Sequence, residues 1–156
     1  MRALLEHGAD VDTVSEEGET LLMRVVTQSE HTSRVLLQYG ASIDRVYNNG
    51  NTLLLESIRY LTPYMVRFDL ALTLLEYGAD VNQYNLLSND TPLKLACIAC
   101  NTVLVRLLLE RGADPLLCPT GSEGLSVVEM MREGGAQYDA VRMICEEYID
   151  TKPLMK

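Results

Sequence analysis

The chain has 156 residues, 47% of them apolar, with 22 acidic against 13 basic side chains and a formal net charge of −9. That length and apolar content suit a single domain, and the acidity argues against nucleic acid and anionic membranes as partners, since both require basic patches. No apolar run approaches the roughly 18 residues of a spanning helix, Met1-Arg2-Ala3 does not read as a leader, and the four cysteines lack the spacing of a disulfide framework, so a reducing compartment, cytoplasmic or nuclear, is expected.

Residues 1–12 read as the tail of a repeated unit. Ala3, Leu4 and Leu5 match the end of a helix, and Gly8-Ala9-Asp10 closes it. The first helix of such a unit is missing, which leaves apolar surface at this end. Either the chain belongs to a longer array or something else covers this end, and a weak homodimer is one candidate. The next unit is 13–44. It opens on an acidic loop, Ser15 to Glu19, and Thr20 then starts a helix through Leu21, Leu22, Val25 and Val26. A polar turn at Gln28 to Thr32 precedes a short second helix with Val35, Leu36 and Leu37, stopped by Gly40. Thr32 and Ser33 stand where aliphatics would pack, so this unit is expected to be the least stable.

The third unit is 45–82. Asn49-Gly50 is a tight-turn dipeptide, and Thr52, Leu53, Leu54 and Ile58 start the first helix. Extra residues enter around Arg59 to Asp69, with Tyr60, Pro63, Tyr64, Met65 and Phe68 among them, and the second helix resumes at Leu70 and ends at Gly78. The insertion either folds back as satellite core or exposes an apolar patch that marks an interaction site.

The unit 83–115 is the clearest. Thr91 is an N-cap, Pro92 sits at the first helical position where its missing N–H costs nothing, and Leu93, Ala96, Cys97 and Cys100 mark one buried face. Asn101 and Thr102 break the chain before a second helix of Leu104, Val105, Leu107, Leu108 and Leu109, with Arg106, Glu110 and Arg111 on its wet side. Gly112 ends it in the left-handed conformation that only glycine adopts without a Cβ penalty. Helices this short cannot bury their faces alone, so each needs a neighbour of the same kind. The last unit, 116–150, has Ser126, Val127, Val128 and Met131 in one helix, a break at Gly134-Gly135, and Val141, Met143, Ile144 and Cys145 in another. Its many charges suit a C-terminal cap, and 151–156 reads as a tail.

Four glycine loops recur in phase at Gly8, Gly40, Gly78 and Gly112, spaced 32, 38 and 34 residues apart, and Thr20, Thr52, Thr91 and Ser126 open the first helices. This pattern resembles the ankyrin repeat, with its T-P-L-H-x-A helix and G-A-D loop recurring at about 33 residues. The resemblance covers essentially the whole chain. It implies an all-α solenoid of helix-turn-helix units with finger-like β-turn loops, and a non-enzymatic role in binding another protein along the concave face of fingers and first helices. The chain departs from the family at the histidine of T-P-L-H, where Met23, Leu55, Lys94 and Glu129 stand. In the family that histidine ties neighbouring loops. Its loss is expected to shift the stack onto apolar packing.

Carrying the family's variable positions across gives a candidate binding face of Glu16, Glu17, Glu19 and Arg24, then Asn48, Asn49, Asn51 and Glu56, then Leu86, Leu87, Asp90 and Leu95, and finally Glu123, Leu125 and Met130, with Tyr64 and Phe68 of the insertion added. The face runs from acidic through amide to apolar, which suits one extended partner with a basic and an apolar segment. Alternatives are a structural spacer in a longer array, a self-associating segment, and an adaptor or inhibitor subunit of a regulatory complex. Asn82, in LLEYGADVN, resembles the asparagine that oxygen-dependent hydroxylases modify in many such repeats; the other reading is a loop asparagine that closes its turn.

No catalytic constellation stands out, because acid–base or nucleophilic chemistry needs a base beside an activated group. His7 and His31 fall in solvated loops or turns, and no cofactor or metal is expected. Cys97 and Cys100 are spaced like a redox pair or half a zinc site, but they also match an alanine and a glycine of the family pattern. The sequon Asn89-Asp90-Thr91 coincides with a helix cap.

Overall fold

The computed structural model describes residues 2–26, 28–59, 68–119 and 125–152. Among them nine α-helices and one 3-10 turn follow one another: α1 (Arg2–Glu6), α2 (Leu21–Val25), α3 (Glu30–Gln38), α4 (Leu53–Arg59), α5 (Phe68–Glu76), α6 (Pro92–Ile98), α7 (Thr102–Glu110), α8 (Val127–Glu133), the 3-10 turn Ala136–Tyr138, and α9 (Asp139–Thr151). Tyr60, Pro63, Tyr64, Met65, Glu123 and the tail from residue 153 lie outside the described residues.

Each first helix starts from a hydroxyl. Thr20, Thr52, Thr91 and Ser126 accept the amides of Met23 (3.3 Å), Leu55 (3.3 Å), Lys94 (3.0 Å) and Glu129 (3.4 Å), which satisfies one of the four orphan N–H groups of the opening turn. Each of α1, α3, α5 and α7 ends the same way. Gly8, Gly40, Gly78 and Gly112 have φ of +84°, +83°, +88° and +91°. The following alanine reaches back five residues, as Ala113 N–H does to the Leu108 carbonyl at 2.9 Å, and the glycine itself reaches back three, closing a Schellman stop.

The core lies between the two helices of each unit and between successive units. α2 packs on α3, α4 on α5, α6 on α7 and α8 on α9, while α4 meets α6, α6 meets α8 and α7 meets α9. Leu22, Leu36, Leu54, Leu74, Leu93, Leu104, Leu108 and Met131 are fully enclosed in one continuous cluster. At roughly 2 kcal/mol per fully buried aliphatic side chain, this shared cluster is what holds helices of five to nine residues that would melt in isolation.

Three local expectations are corrected. The second helix of the 13–44 unit is not short: α3 has nine residues, as many as α5 and α7, and begins at Glu30 inside the stretch read as a turn. Ser29 caps it by accepting from Thr32, and the buried Ser33 hydroxyl donates to the Ser29 carbonyl at 2.9 Å, so both polar residues are satisfied within the helix. Helix α5 begins at Phe68, two residues before Leu70. Cys100 does not share a buried face with Cys97. Helix α6 stops at Ile98 because Asn101 is needed as the next cap, and Cys100 is exposed with φ +51°, in the left-handed region that favours glycine.

Candidate functional site

Among the described residues three fingers project from the stack. The first closes with Ser15 N–H to the Glu19 carbonyl (2.9 Å) and the second with Tyr47 N–H to the Asn51 carbonyl (2.8 Å). The third spans one residue more, from Asn85 N–H to the Asp90 carbonyl (3.0 Å), and the extra residue is absorbed by Asn89 at φ +56°. Asparagine tolerates that left-handed geometry better than most residues.

The second and third fingers are joined by a buried amide network. Asn85 is 2% exposed. Its Nδ2 donates to the Asn51 Oδ1 (2.6 Å) and the Asn49 carbonyl (2.9 Å), and its Oδ1 accepts from the amides of Leu87 (2.7 Å) and Ser88 (3.2 Å). All four hydrogen-bonding valences of that side chain are used. Asn51 donates in turn to Glu56 (2.8 Å), and Asn49 donates to the same carboxylate oxygen. Asn51 therefore leaves the candidate binding face: it is 1% exposed and committed to the network. Sequence reasoning missed Asn85. The available signal was its place as the residue that opens a finger, where Tyr47 stands one unit earlier.

Leu86 and Leu87 are held at the tip of the third finger, 79% and 76% exposed. Glu16, Glu17, Arg24, Asn48, Asn49 and Leu125 are exposed, while Glu19, Glu56, Asp90, Leu95 and Met130 are half-buried. Asp90 pairs with Lys94 at 2.9 Å and accepts from Ser88 at 2.7 Å, so its charge is spent locally. Leu95 and Met130 lean on the core. Phe68 opens α5.

Further polar links cross between units and stand beside the apolar packing of the stack. Tyr47 donates to the Met23 carbonyl (3.1 Å) and Asn48 to the Glu17 carbonyl (3.3 Å). Burial first, then the nearby Glu56 and Glu19 carboxylates, push the Tyr47 hydroxyl up from its ordinary value, so it stays a donor. A second ladder runs along the glycine loops. The Asp12 carboxylate accepts from the Ser42 amide and hydroxyl, and Asp44 from the Asp80 amide. Desolvation, with Asp80 adding repulsion, raises Asp44 against that bond. Asn82 continues the ladder with both amide atoms, donating to the Gly112 carbonyl (3.1 Å) and accepting from the Asp114 amide (2.9 Å). At the histidine position itself, Glu129 accepts from its own cap, the Ser126 amide at 2.8 Å, and Met23 sulfur does the same for Thr20 at 3.4 Å.

Among the described residues no group of three or more His, Cys, Asp or Glu side chains could hold a metal, and no helix is long and apolar enough to cross a membrane. His7 and His31 are exposed. None of the four cysteines is in a disulfide. A hydrogen bond to Cys145, then burial, hold the Cys97 thiol well above the usual range, which keeps it protonated and unreactive.

Short paired helices, glycine stops and projecting fingers define an all-α stacked-repeat solenoid. A family model for three copies of ankyrin repeats matches residues 1–85, and one for a single ankyrin repeat matches residues 88–119. The chain belongs to the ankyrin-repeat family, whose members are generally protein–protein interaction modules. No curated protein matches it.

Proposed function

We propose that this chain is a non-enzymatic recognition module that holds an extended segment of a partner protein along its fingers and first helices, with basic residues of the partner at the first finger and apolar ones at the third. The observation that carries this reading is the pair Leu86 and Leu87, more than three-quarters exposed on a finger whose backbone is fixed by a fully satisfied buried amide. Ordering an exposed apolar pair in advance lowers the entropic cost of docking on it. The acidic finger at the other end, Glu16, Glu17 and Glu19, supports a basic complement.

The test compares a native partner's affinity for the wild-type chain and two variants at low and high salt. The triple reversal of Glu16, Glu17 and Glu19 to Lys should weaken binding and flatten its salt dependence. The double change of Leu86 and Leu87 to Ser should weaken it about tenfold or more at every salt concentration, as expected for losing two apolar anchors. Affinity unchanged in both variants sinks the reading. Self-association is a second reading, supported by Leu4 and Leu21, 67% and 42% exposed on the first two helices. A molar mass that falls on dilution would favour it.

A further inference from the structure

A cleft of about 210 Å³ opens between the first two fingers, lined by Glu17, Gly18, Glu19, Met23, Tyr47, Asn48 and Asn49. Its walls are of different kinds. The two carboxylates come from the first finger and the two amides from the tip of the second, and Tyr47 and the largely buried Met23 complete the lining. Neither wall is loose. Tyr47 is pinned by its bond to the Met23 carbonyl, and the Asn48 amide is tied to the Glu17 carbonyl, which staples one finger to the other. Asn49 is tied to Glu56, itself bonded to Asn51 in the buried network. The cleft is therefore preformed.

Its chemistry selects one kind of occupant. No basic residue lines it, and among the described residues neither Glu17 nor Glu19 is in an ion pair. Carboxylates that share a cleft with a pinned tyrosine suit a planar cation, which can take a paired hydrogen bond along one edge and stack on an aromatic ring. A lysine ammonium meets the charge but not the stacking geometry as well, and an anion or a purely apolar group meets neither. The preformed cleft, its carboxylates outside any ion pair among the described residues and its tyrosine together give charge complementarity at a defined place, beyond the general acidity of the chain.

We propose that the cleft between the first two fingers is a socket for an arginine side chain of the partner's extended segment. The proposal rests on the finger face being the recognition surface, and it names the side chain that is read there.

The test is a titration of the ¹⁵N-labelled chain with N-acetyl-arginine N-methylamide, with the lysine and the uncharged citrulline counterparts as controls. Saturable shifts of the Gly18, Glu19, Asn48 and Asn49 amides with arginine, at least severalfold weaker with lysine and absent with citrulline, are expected. Glu19→Gln should raise the apparent Kd about tenfold, as for loss of a charge-assisted hydrogen bond. Glu16→Gln, outside the cleft, should leave the Kd within twofold. A thermal melt confirms that both variants fold. No shifts, equal shifts with citrulline, or shifts spread equally to Asp10, Asp12 and Glu133 overturn the socket. A partner that still requires Leu86 and Leu87 after such a failure removes the socket alone, whereas a partner indifferent to both sites removes the finger-face reading as well.

Discussion

Gly18 and Gly50 stand at equivalent places in two fingers, with φ of +79° and +82°. An alanine at either would be forced into the left-handed region at a cost of roughly 1–2 kcal/mol. The surroundings separate them. A Cβ at Gly18 meets nothing within 4 Å, whereas one at Gly50 falls 2.6 Å from the Asn85 Oδ1, inside any tolerable contact. That oxygen cannot yield without releasing the Leu87 and Ser88 amides, and the whole amide would drag on Asn51 and Asn49. Gly18→Ala is expected to lower stability to urea by about 1 kcal/mol, and Gly50→Ala by about 3 kcal/mol, adding one or two lost buried hydrogen bonds to the same strain. Equal losses would mean that the Asn85 network carries no stability. The glycine was legible in the sequence as half of an Asn-Gly turn, because turn chemistry is local. The amide it lies against, 35 residues away, was not, because nothing local says that Asn85 points back across the stack or that Asn51 points inward.

Helix by helix, the residues that start and stop each element were legible, since a cap hydroxyl and a glycine stop act within one turn of where they stand. What misled was extrapolating a period past a helix end. The spacing of Leu93, Ala96 and Cys97 continues arithmetically to Cys100, but Asn101 accepts the Leu104 amide as the cap of α7, so the chain must leave the helix before it. Ser29 does the same for α3, and a capping residue inside a polar stretch is easily read as plain turn. The caps also differ in kind, with a measurable consequence. In α8, Ser126 and Glu129 cap each other; the bonds from the Ser126 hydroxyl and amide hold the Glu129 carboxyl below its usual range. A carboxyl lowered in the folded state stabilises above its unfolded value near 4.3–4.5, and that stabilisation is lost as pH falls through the folded value. Glu129→Ala should therefore destabilise at neutral pH and converge with the parent chain in acid, followed by urea midpoints between about pH 3 and 7. The box at Thr20 and Met23 uses a sulfur acceptor with nothing to titrate, so Met23→Leu should show no such convergence.

Across the whole molecule, a stack of this kind is stabilised by each unit and by its interfaces with its neighbours, so stability need not be uniform along it. Helix α1 buries no residue fully and α2 buries two, Leu22 and Met23, whereas α6 and α7 bury four each. The family resemblance made the stacking legible from four phased glycine loops, but not the ladder of Asp12, Asp44 and Asn82, whose side chains each reach the next loop along. Those links decide whether neighbouring units open together. Amide exchange followed by mass spectrometry should show α1 and α2 opening at lower free energy than α6 and α7 in the parent chain. Asn82 makes both of its bonds across the interface between the third and fourth units. Asn82→Ala removes them at a cost of about 1–2 kcal/mol. Because the loss falls on an interface, α4 and α5 should exchange faster while α8 and α9 hold their rates. Asp12→Ala, at the interface nearer the start, should speed exchange in α1 and leave α4 and α5 unchanged. If either substitution instead accelerates exchange evenly from α1 to α9, the stack opens as one cooperative body and the ladder does not divide it.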